Sequence, residues 1–451
     1  MNILVLNGSP KGEYSVTLQT VEFLKLCYPD QNFNILHVGQ RIKAYERDFS
    51  AAKQALEEAD LIIFAYPVYT FIAPYQLHRF IELIKENNVD LKDKFCTQIS
   101  TSKHFYDVTA HRYIQDNCSD LELKYIKGLS ADMEDLLKPA GQKQVKEFFE
   151  YVLFSIENDL YEKSSVSKEA STQAPVSIPQ ESNVKKHGDI VILTTVTQDD
   201  TQLLNMIECF RAVCKRNIRV INVREYPFKG GCLGCLNCAA TGKCVYKDGF
   251  DEYLRNTIQT AEATVYAFTI KDHSMGASFK QYDDRLFCNG HRAVTMGMPV
   301  GYIVSGSYSK ETNLQMIIEG RAQVGSNFLA GVATDEADPN KEIDQLSQNI
   351  EYALQNSYTP PQNFYGIGGM KIFRDLIWLM RGIMKADHKF YKEHKQYDFP
   401  QQRRGTMIAM VLLGTLMSSD KVKEKAGNMM NEGMLMPYKK ILEKEKNNEN
   451  N

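Results

Sequence analysis

A block of eight residues recurs 202 positions further along the chain. Ala59-Asp60-Leu61-Ile62-Ile63-Phe64-Ala65-Tyr66 returns as Ala261-Glu262-Ala263-Thr264-Val265-Tyr266-Ala267-Phe268, and the same offset sets Leu77 on Phe279 and Phe80 on Tyr282. A register kept through strand, loop and following helix reads as a duplicated unit. Within the first copy, apolar runs at Ile3–Leu6, Leu61–Tyr66, Phe95–Ser100 and Glu122–Ile126 alternate with helical spacing, such as that from Val16 to Leu26. After a break the rhythm restarts with Asp189–Thr195. Strands alternating with helices specify βαβ units and a parallel sheet, here two doubly wound α/β sheets in tandem.

At 451 residues the chain has room for two or three domains. The expected division is a first α/β domain at 1–160, a linker at 161–188, a second α/β domain at 189–356 and a helical extension and tail at 357–451. The linker's Lys, Ser, Glu, Gln and Pro cannot supply a core, which reads as disorder. In the extension, Pro360-Pro361 and Gly366-Ile367-Gly368-Gly369 read as turns. Met370–Lys385 has helical spacing, with Ile372, Phe373, Leu376, Ile377, Trp378 and Met380 beside Lys371, Arg374, Arg381 and Lys385. Such a helix can pack against the paired domains or lie on a membrane surface.

Net charge excludes one class of function. Fifty-three Lys and Arg oppose 56 Asp and Glu, a balance of −3, which argues against a protein dedicated to nucleic acid. No apolar run approaches a membrane span; the longest, Met407–Met417, is too short. The start has neither a basic n-region nor a small-residue cleavage site, so the expected location is cytoplasmic. Ten cysteines there are thiols or ligands rather than disulfides.

The loop after the first strand, Asn7-Gly8-Ser9-Pro10-Lys11-Gly12, gathers backbone N–H groups at a helix N-terminus. Gly8 permits close approach, and Ser9, Ser15 and Thr17 add hydroxyls, which together can hold a phosphate. A plain turn with Ser15 or Thr17 as N-cap would use the same residues. Two further loops follow strand ends: Tyr66-Pro67-Val68-Tyr69-Thr70-Phe71 and Thr101-Ser102-Lys103-His104-Phe105-Tyr106. Ligands of open doubly wound sheets sit beyond the carboxyl ends of the strands. One hydroxyl-rich and two aromatic loops there suit a ligand with a phosphate tail and a flat ring.

These loops resemble those of the flavodoxin-like NAD(P)H-dependent FMN reductases and iron–sulfur flavoproteins. Gly8-Ser9-Pro10 with Ser15 and Thr17 is similar to the family's phosphate loop, and Tyr66-Pro67-Val68-Tyr69 to its S-P-V-Y loop, with Tyr66 in place of the usual Ser. The resemblance covers about 1–155 and 188–355. It implies two flavodoxin-like domains and FMN as cofactor. Phosphate would sit on Ser9, Ser15 and Thr17, with the cradle formed also by Gly8 and Pro10. The flavin ring would lie near Pro67, Val68, Tyr69, Thr70 and Phe71 and near Thr101, Ser102, Lys103, His104 and Phe105. NAD(P)H is the possible donor, although no nicotinamide fingerprint is readable.

The second copy differs where it matters chemically. After its second strand it carries about 17 extra residues, and within them Cys232, Cys235, Cys238 and Cys244 form C-x2-C-x2-C-x5-C among Gly230, Gly231, Gly234 and Gly242. Four thiolates on one short glycine-rich loop suit a [4Fe–4S] cluster, with one Cys to each iron. Structural zinc, usually held by two separated C-x2-C pairs, and a free-thiol pair at Cys232 and Cys235 are the alternatives. The iron–sulfur flavoproteins carry the same compact motif at this place in the fold, and Val245-Tyr246-Lys247-Asp248 also resembles theirs. The other six cysteines (27, 96, 118, 209, 214, 288) read as small buried side chains. The second copy's first loop, Thr194–Thr201, lacks glycine and carries Asp199 and Asp200 where an anion would sit, so a second FMN is not expected. Lys271, His273, Arg285, His291 and Arg292 are candidates to touch an anionic ligand or the flavin of the other half, or to be ordinary interface polar groups.

The expectation is therefore a flavin-dependent oxidoreductase whose halves pair as subunits of a dimer do, passing electrons between FMN in the first and a cluster in the second. No acid–base catalytic residue is found. The partner would be a redox protein or a small-molecule acceptor, and the chain itself could form a homodimer. The alternatives are a cluster-free NAD(P)H-dependent FMN or quinone reductase, and a non-catalytic pair of domains serving as an interaction scaffold.

Overall fold

The structure, a computed structural model, describes residues 1–162, 173–180, 185–397 and 404–416. Apolar β-branched runs form the strands and amphipathic segments the helices. The first half runs β1 (Asn2–Asn7), α1 (Val16–Cys27), β2 (Asn32–Leu36), α2 (Val38–Tyr45), α3 (Ser50–Glu58) and β3 (Leu61–Pro67). It continues with α4 (Tyr75–Glu86), β4 (Phe95–Ser102), α5 (Asp107–Asp120), β5 (Lys124–Tyr125), β6 (Leu129–Asp132) and α6 (Pro139–Glu157). Its sheet has the order β2-β1-β3-β4-β5, with β6 alongside the far end of β4, and every pairing is parallel.

The second half repeats the plan: β7 (His187–Thr194), α7 (Thr201–Val213), β8 (Arg216–Asn222), the short α8 (Asn237–Thr241) and α9 (Phe250–Tyr253), and β9 (Ala263–Thr269). Then come α10 (Gly276–Arg285), β10 (Pro299–Ser305), α11 (Thr312–Val324), β11 (Phe328–Thr334) and α12 (Pro339–Asn356). The order β8-β7-β9-β10-β11, again parallel, is that of the first sheet. Strand β9 starts 202 residues after β3, so the sequence repeat is a structural one.

The halves meet through their equivalent helices, α4 and α10. The Glu82 carboxylate accepts the Ala277 N–H at 2.8 Å, and the Asp284 carboxylate accepts the Tyr75 N–H at 2.8 Å. Residues 75 and 277, and 82 and 284, are each 202 apart. Each helix N-terminus is thus capped by the acidic residue of its twin, a favourable placement of negative charge against the first turn. This reciprocity is what an isologous dimer contact has, realised here within one chain. At its centre the fully buried Lys280 Nζ donates to the Tyr69 carbonyl at 2.9 Å and pairs with Asp283 and Asp284. Its hydrogen bonds replace the water that burial removes from three charged groups.

Residues 1–391 form one compact unit and 392–451 another. The segment expected as linker is only partly described: 163–172 and 181–184 lie outside the described residues, as do 398–403 and the whole tail from 417 onwards. Residues 173–180 are laid on the second half, where the Ala174 N–H reaches the Asp335 carbonyl at 2.7 Å and Val176 packs on the core.

The extension forms α13 (Phe364–Leu379), α14 (Lys385–Glu393) and, in the second unit, α15 (Arg404–Leu416). The glycine run read as a turn lies inside α13. A Cβ on Gly369 would come within 2.7 Å of Val324 and 3.0 Å of Phe105, and one on Gly366 within 2.7 Å of the Gln323 carbonyl. Helix-interior glycine costs about 1 kcal/mol relative to alanine; here it lets α13 lie close on both halves. Among the described residues no helix is long and apolar enough to cross a membrane.

Candidate functional site

At the carboxyl end of β1 the buried Asn7 ties the first loop together. Its Oδ1 accepts the Ser9 N–H at 3.2 Å and its Nδ2 donates to the Gly12 carbonyl at 3.1 Å. Ser15 caps α1, its Oγ accepting the Leu18 N–H at 3.4 Å, so the hydroxyl proton remains available to an acceptor. Val16 and Thr17, in the first turn, have no intrahelical partner for their N–H groups. Thr17 Oγ1 lies 2.6 Å from Thr101 Oγ1, which joins the first loop to the end of β4.

These groups border a cavity of about 300 Å³, a size in the range of small-molecule sites, roughly 300–1,000 Å³. Ser9, Lys11, Ser15 and Thr17 line one end, Pro67, Val68, Tyr69 and Thr70 one side, and Thr101, Ser102, Lys103 and Phe105 another. Of the sequence-predicted set, Gly8, Pro10, Phe71 and His104 stand apart from it. Gly8 donates to the Ala65 carbonyl and packs on Leu77 and Tyr66. Pro10 is buried beside Gly39, and Phe71 lines a second cavity. The exposed His104 pairs with Asp107 at 2.8 Å. Tyr66, standing where the family has Ser, points away into the core and donates to Gln98 Oε1 at 2.5 Å.

The opposite wall belongs to the second half. Cys232, Cys235, Cys238 and Cys244 all line the same cavity, so the structure brings the two sequence motifs together across the seam. Glycines make this possible. Gly234 has φ +61°, and a Cβ there would lie 2.1 Å from Tyr69 Oη; one on Gly231 would lie 2.3 Å from the Tyr75 ring. Left-handed backbone and close approach both demand glycine. On the facing side Thr70 (φ +42°) and Phe71 (φ +77°) hold left-handed conformations that cost side-chain residues free energy. The Thr70 hydroxyl donating to Asp284 at 2.9 Å offsets part of that cost.

The cysteine loop is pinned by Arg285, a candidate from the sequence. Its guanidinium, buried, makes two 2.8 Å bonds to Asp248 and one of 3.0 Å to the Gly230 carbonyl, and lies 4.5 Å from the Tyr246 ring centre. It also comes within 3.9 Å of Cys244 Sγ, bringing positive charge to the sulfur. Gly234 N–H donates to Cys232 Sγ at 3.4 Å. Burial pushes the Cys232 thiol up, and burial followed by the nearby Asp387 pushes that of Cys238 up to about 11. Among the described residues no three His, Cys, Asp or Glu side chains converge to hold a single metal ion.

The remaining candidates divide. Lys271 lies 3.3 Å from Glu82, and His273 bridges Asp120 and Glu311 across the interface. Arg292 turns to Asp387. His291 borders the cavity, with Nδ1 3.0 Å from the buried Asp387 of α14. Sequence reasoning missed Cys288, which lies on the cavity wall, and the contribution of the extension. Ile372, Phe373 and Leu376 of α13, with Met380 and Met384 after it, close the cavity. Phe373 sits 4.4 Å from Phe105 and 5.0 Å from His291. Its apolar positions were legible, but not which surface they cover. Behind Phe105, Phe287 and Phe373 lies the second cavity, of about 230 Å³.

In the second half the equivalent first loop is filled. Asp200 holds the N-cap position of α7, as Ser15 does in α1. Its carboxylate accepts the Thr197 N–H and hydroxyl, both at 2.7 Å, and the Thr269 hydroxyl at 3.2 Å. Burial opposes ionisation, but these donors prevail and hold the carboxyl below its ordinary range.

Comparison with known proteins agrees with this architecture. Residues 1–107 match the family model described as a flavodoxin-like fold. An iron–sulfur flavoprotein of Archaeoglobus fulgidus is 28% identical over 173 residues, spanning 36% of this chain and 77% of that protein. The flavodoxin-like fold of the first half is thus one this chain shares with known proteins. Solved structures similar to this flavodoxin-like chain include an NADPH-quinone reductase from P. pentosaceus, 14% identical, covering 36% of this chain and all of that one with a TM-score of 0.26. An FMN-dependent NADH-azoreductase from Bacillus anthracis is 15% identical, covering 34% of this chain and 98% of that one with a TM-score of 0.28.

Proposed function

We propose that this chain is a flavin-dependent oxidoreductase that holds FMN in the seam cavity and a [4Fe–4S] cluster on Cys232, Cys235, Cys238 and Cys244. The observation that carries the reading is that one cavity is lined by the hydroxyl loop of one half and all four thiols of the other. FMN exchanges electrons in pairs as a hydride or singly, and an iron–sulfur cluster exchanges one at a time.

The chain's own residues supply binding and orientation. Ser9, Ser15 and Thr17, with the free first-turn N–H groups, form the phosphate end, and Lys11 adds positive charge there. Pro67, Val68, Tyr69 and Thr70 face Thr101, Ser102, Lys103 and Phe105 across the space for a flat ring. Phe373 and Leu376 exclude water from it. Four thiols round a common void fit a cluster, in which each iron takes one sulfur and no three sulfurs need meet at one ion. The Gly234 N–H and the Arg285 guanidinium stabilise charge on sulfur. The Cys232 thiol, pushed up by burial, favours protonated sulfur in the bare loop, which counts against its service as the attacking thiol of a redox pair.

NAD(P)H is the proposed donor, and a small molecule or a redox protein the acceptor. Ten cysteines without a disulfide fit a reducing, cytoplasmic location. Absorbance, flavin and iron are to be measured on one anaerobic preparation. Flavin bands over a broad charge-transfer shoulder, with about four irons per chain, support the reading. Flavin without iron leaves a cluster-free reductase, and neither chromophore nor FMN uptake leaves an interaction scaffold.

A further inference from the structure

Charge is unevenly distributed along the chain. Residues 357–451 carry 16 Lys and Arg against 10 Asp and Glu, a balance of +6, while the whole chain stands at −3. The same segment holds a concentration of exposed large apolar side chains, the exposed Trp378 among them. Helix α13 has two faces. One closes the seam cavity; the other presents Phe364, Ile367, Lys371 and Trp378 at helical spacing, with Leu379 beside them. Phe364 is 82% exposed, Leu379 71% and Ile383 60%. The Arg381 guanidinium lies 4.9 Å from the Trp378 ring centre. An exposed Trp with basic neighbours is the composition favoured at a membrane–water interface.

Helix α15, in the second compact unit, is apolar around its whole circumference. Met407, Ile408, Met410, Val411 and Leu412 are each more than half exposed. A groove on a protein would cover one side of such a helix and leave the rest in water. A helix apolar all round needs an apolar medium on every side. At 13 residues it is about 20 Å long, short of the roughly 30 Å of a bilayer core. Arg404 opens the helix, ahead of its apolar run.

We infer that the C-terminal extension docks on an anionic phospholipid surface, the α13 face and the α15 helix each serving by itself as an apolar element, with Lys371 and Arg381 of the one and Arg404 of the other meeting the headgroups. Neither signal is strong alone; apolar insertion combined with a basic patch is what holds a protein on a membrane. The inference does not depend on which cofactors the seam holds.

The test is co-sedimentation of the full chain with vesicles of phosphatidylcholine containing phosphatidylglycerol and with vesicles of phosphatidylcholine alone. Binding is expected to the anionic vesicles, about tenfold or more weaker to the neutral ones, and reduced by salt. Leu379→Glu with Ile383→Glu, and separately Ile408→Glu with Leu412→Glu, should each weaken binding by about tenfold or more. The unchanged melting temperature of each variant serves as its folding control. Absence of binding, or equal binding to both vesicle types, overturns the inference. So does concentration-dependent self-association without lipid that the same substitutions abolish, which would assign the surface to a second copy of the chain.

Discussion

Ser15 offers the sharpest test of the phosphate cradle, because its two roles can be separated. Its Oγ accepts the Leu18 N–H as the N-cap of α1, while its proton is free for a ligand. Ser15→Ala removes both roles. Loss of the cap should cost the apo protein about 1 kcal/mol. Loss of a hydrogen bond to a charged phosphate should cost FMN affinity a further 1.5–3 kcal/mol, about ten- to a hundredfold. Ser15→Asp separates the two, since Asp caps a helix as well as Ser does. Apo stability should therefore hold, or rise slightly with negative charge at the helix N-terminus. A carboxylate about 4 Å from a phosphate charge, at an effective dielectric near 20, repels it by roughly 4 kcal/mol. That is about a thousandfold in affinity. The second half has an Asp at the corresponding position, though Asp200 makes no side-chain bond to the first turn of α7 and instead accepts the Thr197 N–H and hydroxyl. Calorimetric melting of the apo variants and titration of FMN fluorescence quenching give the two numbers. A Ser15→Asp chain that melts as the parent does and still binds FMN within about threefold would refute the cradle.

Cys235→Ala should lower bound iron while FMN stays bound, read from metal and flavin content of the same sample; retention of full iron would remove that sulfur from the proposed ligands. Lys280→Met leaves Asp284 buried without its cation, while Asp283 keeps Arg321, and should destabilise the chain by about 3–5 kcal/mol in chemical denaturation, with Lys280→Met/Asp284→Asn recovering part of the loss. Burial alone would lower the His273 pKa, but hydrogen bonds and charge from Asp120 and Glu311 raise it to about 10. Its stabilisation is then complete below its unfolded value near 6.5 and is lost as pH rises through 10. Denaturation midpoints of His273→Gln and parent should therefore converge between pH 7 and 10.5, and a constant gap would contradict the bridge. Gly369→Val, forcing a side chain against Val324 and Phe105, should lift α13 and increase quenching of bound flavin by iodide.

The repeat made the fold legible. Two αβ units in one register leave little choice of sheet, and β9 begins at the position the offset from β3 requires. The hydroxyl loop and the cysteine loop were equally plain, because their chemistry is local and their spacing short. What escaped was what depends on approach rather than on pattern. Gly366, Gly368 and Gly369 look like a turn to any reading of propensity, yet they lie in α13 because its packing against α11 leaves no room for a Cβ at 366 and 369. Gly8 read as a glycine for close approach, and a Cβ there would meet Leu77 at 3.1 Å and Tyr66 at 3.3 Å, neighbours that sequence spacing does not name. Cys288 looked incidental because nothing in its neighbourhood shows that the chain folds it back onto the cysteine loop's cavity.

Duplication explains why one site could become two unlike halves. A symmetric dimer joined through its α4 equivalents has two seams, each formed by the first loop of one subunit and the loop after strand two of the other. In this chain the reciprocal bonds of Glu82 and Asp284 preserve that geometry, but the subunits are no longer obliged to be identical. The seam described here joins the Ser15 loop to the long cysteine loop. Its symmetry mate would join the Asp200 loop to the short connection made of α2 and α3, where no cysteine lies. Asp200 closes that mate by supplying its own carboxylate, and α13 closes the retained seam from outside. Exchanging the cap residues, with Ser15→Asp and Asp200→Ser in one chain, tests the argument. The first change should abolish FMN binding, and the second should not restore it, since the mate has neither the aromatic loop nor the cysteines. Recovery of FMN binding by the double variant would mean that the cap alone decides which half binds, and that the asymmetry of the two long loops has no part in it.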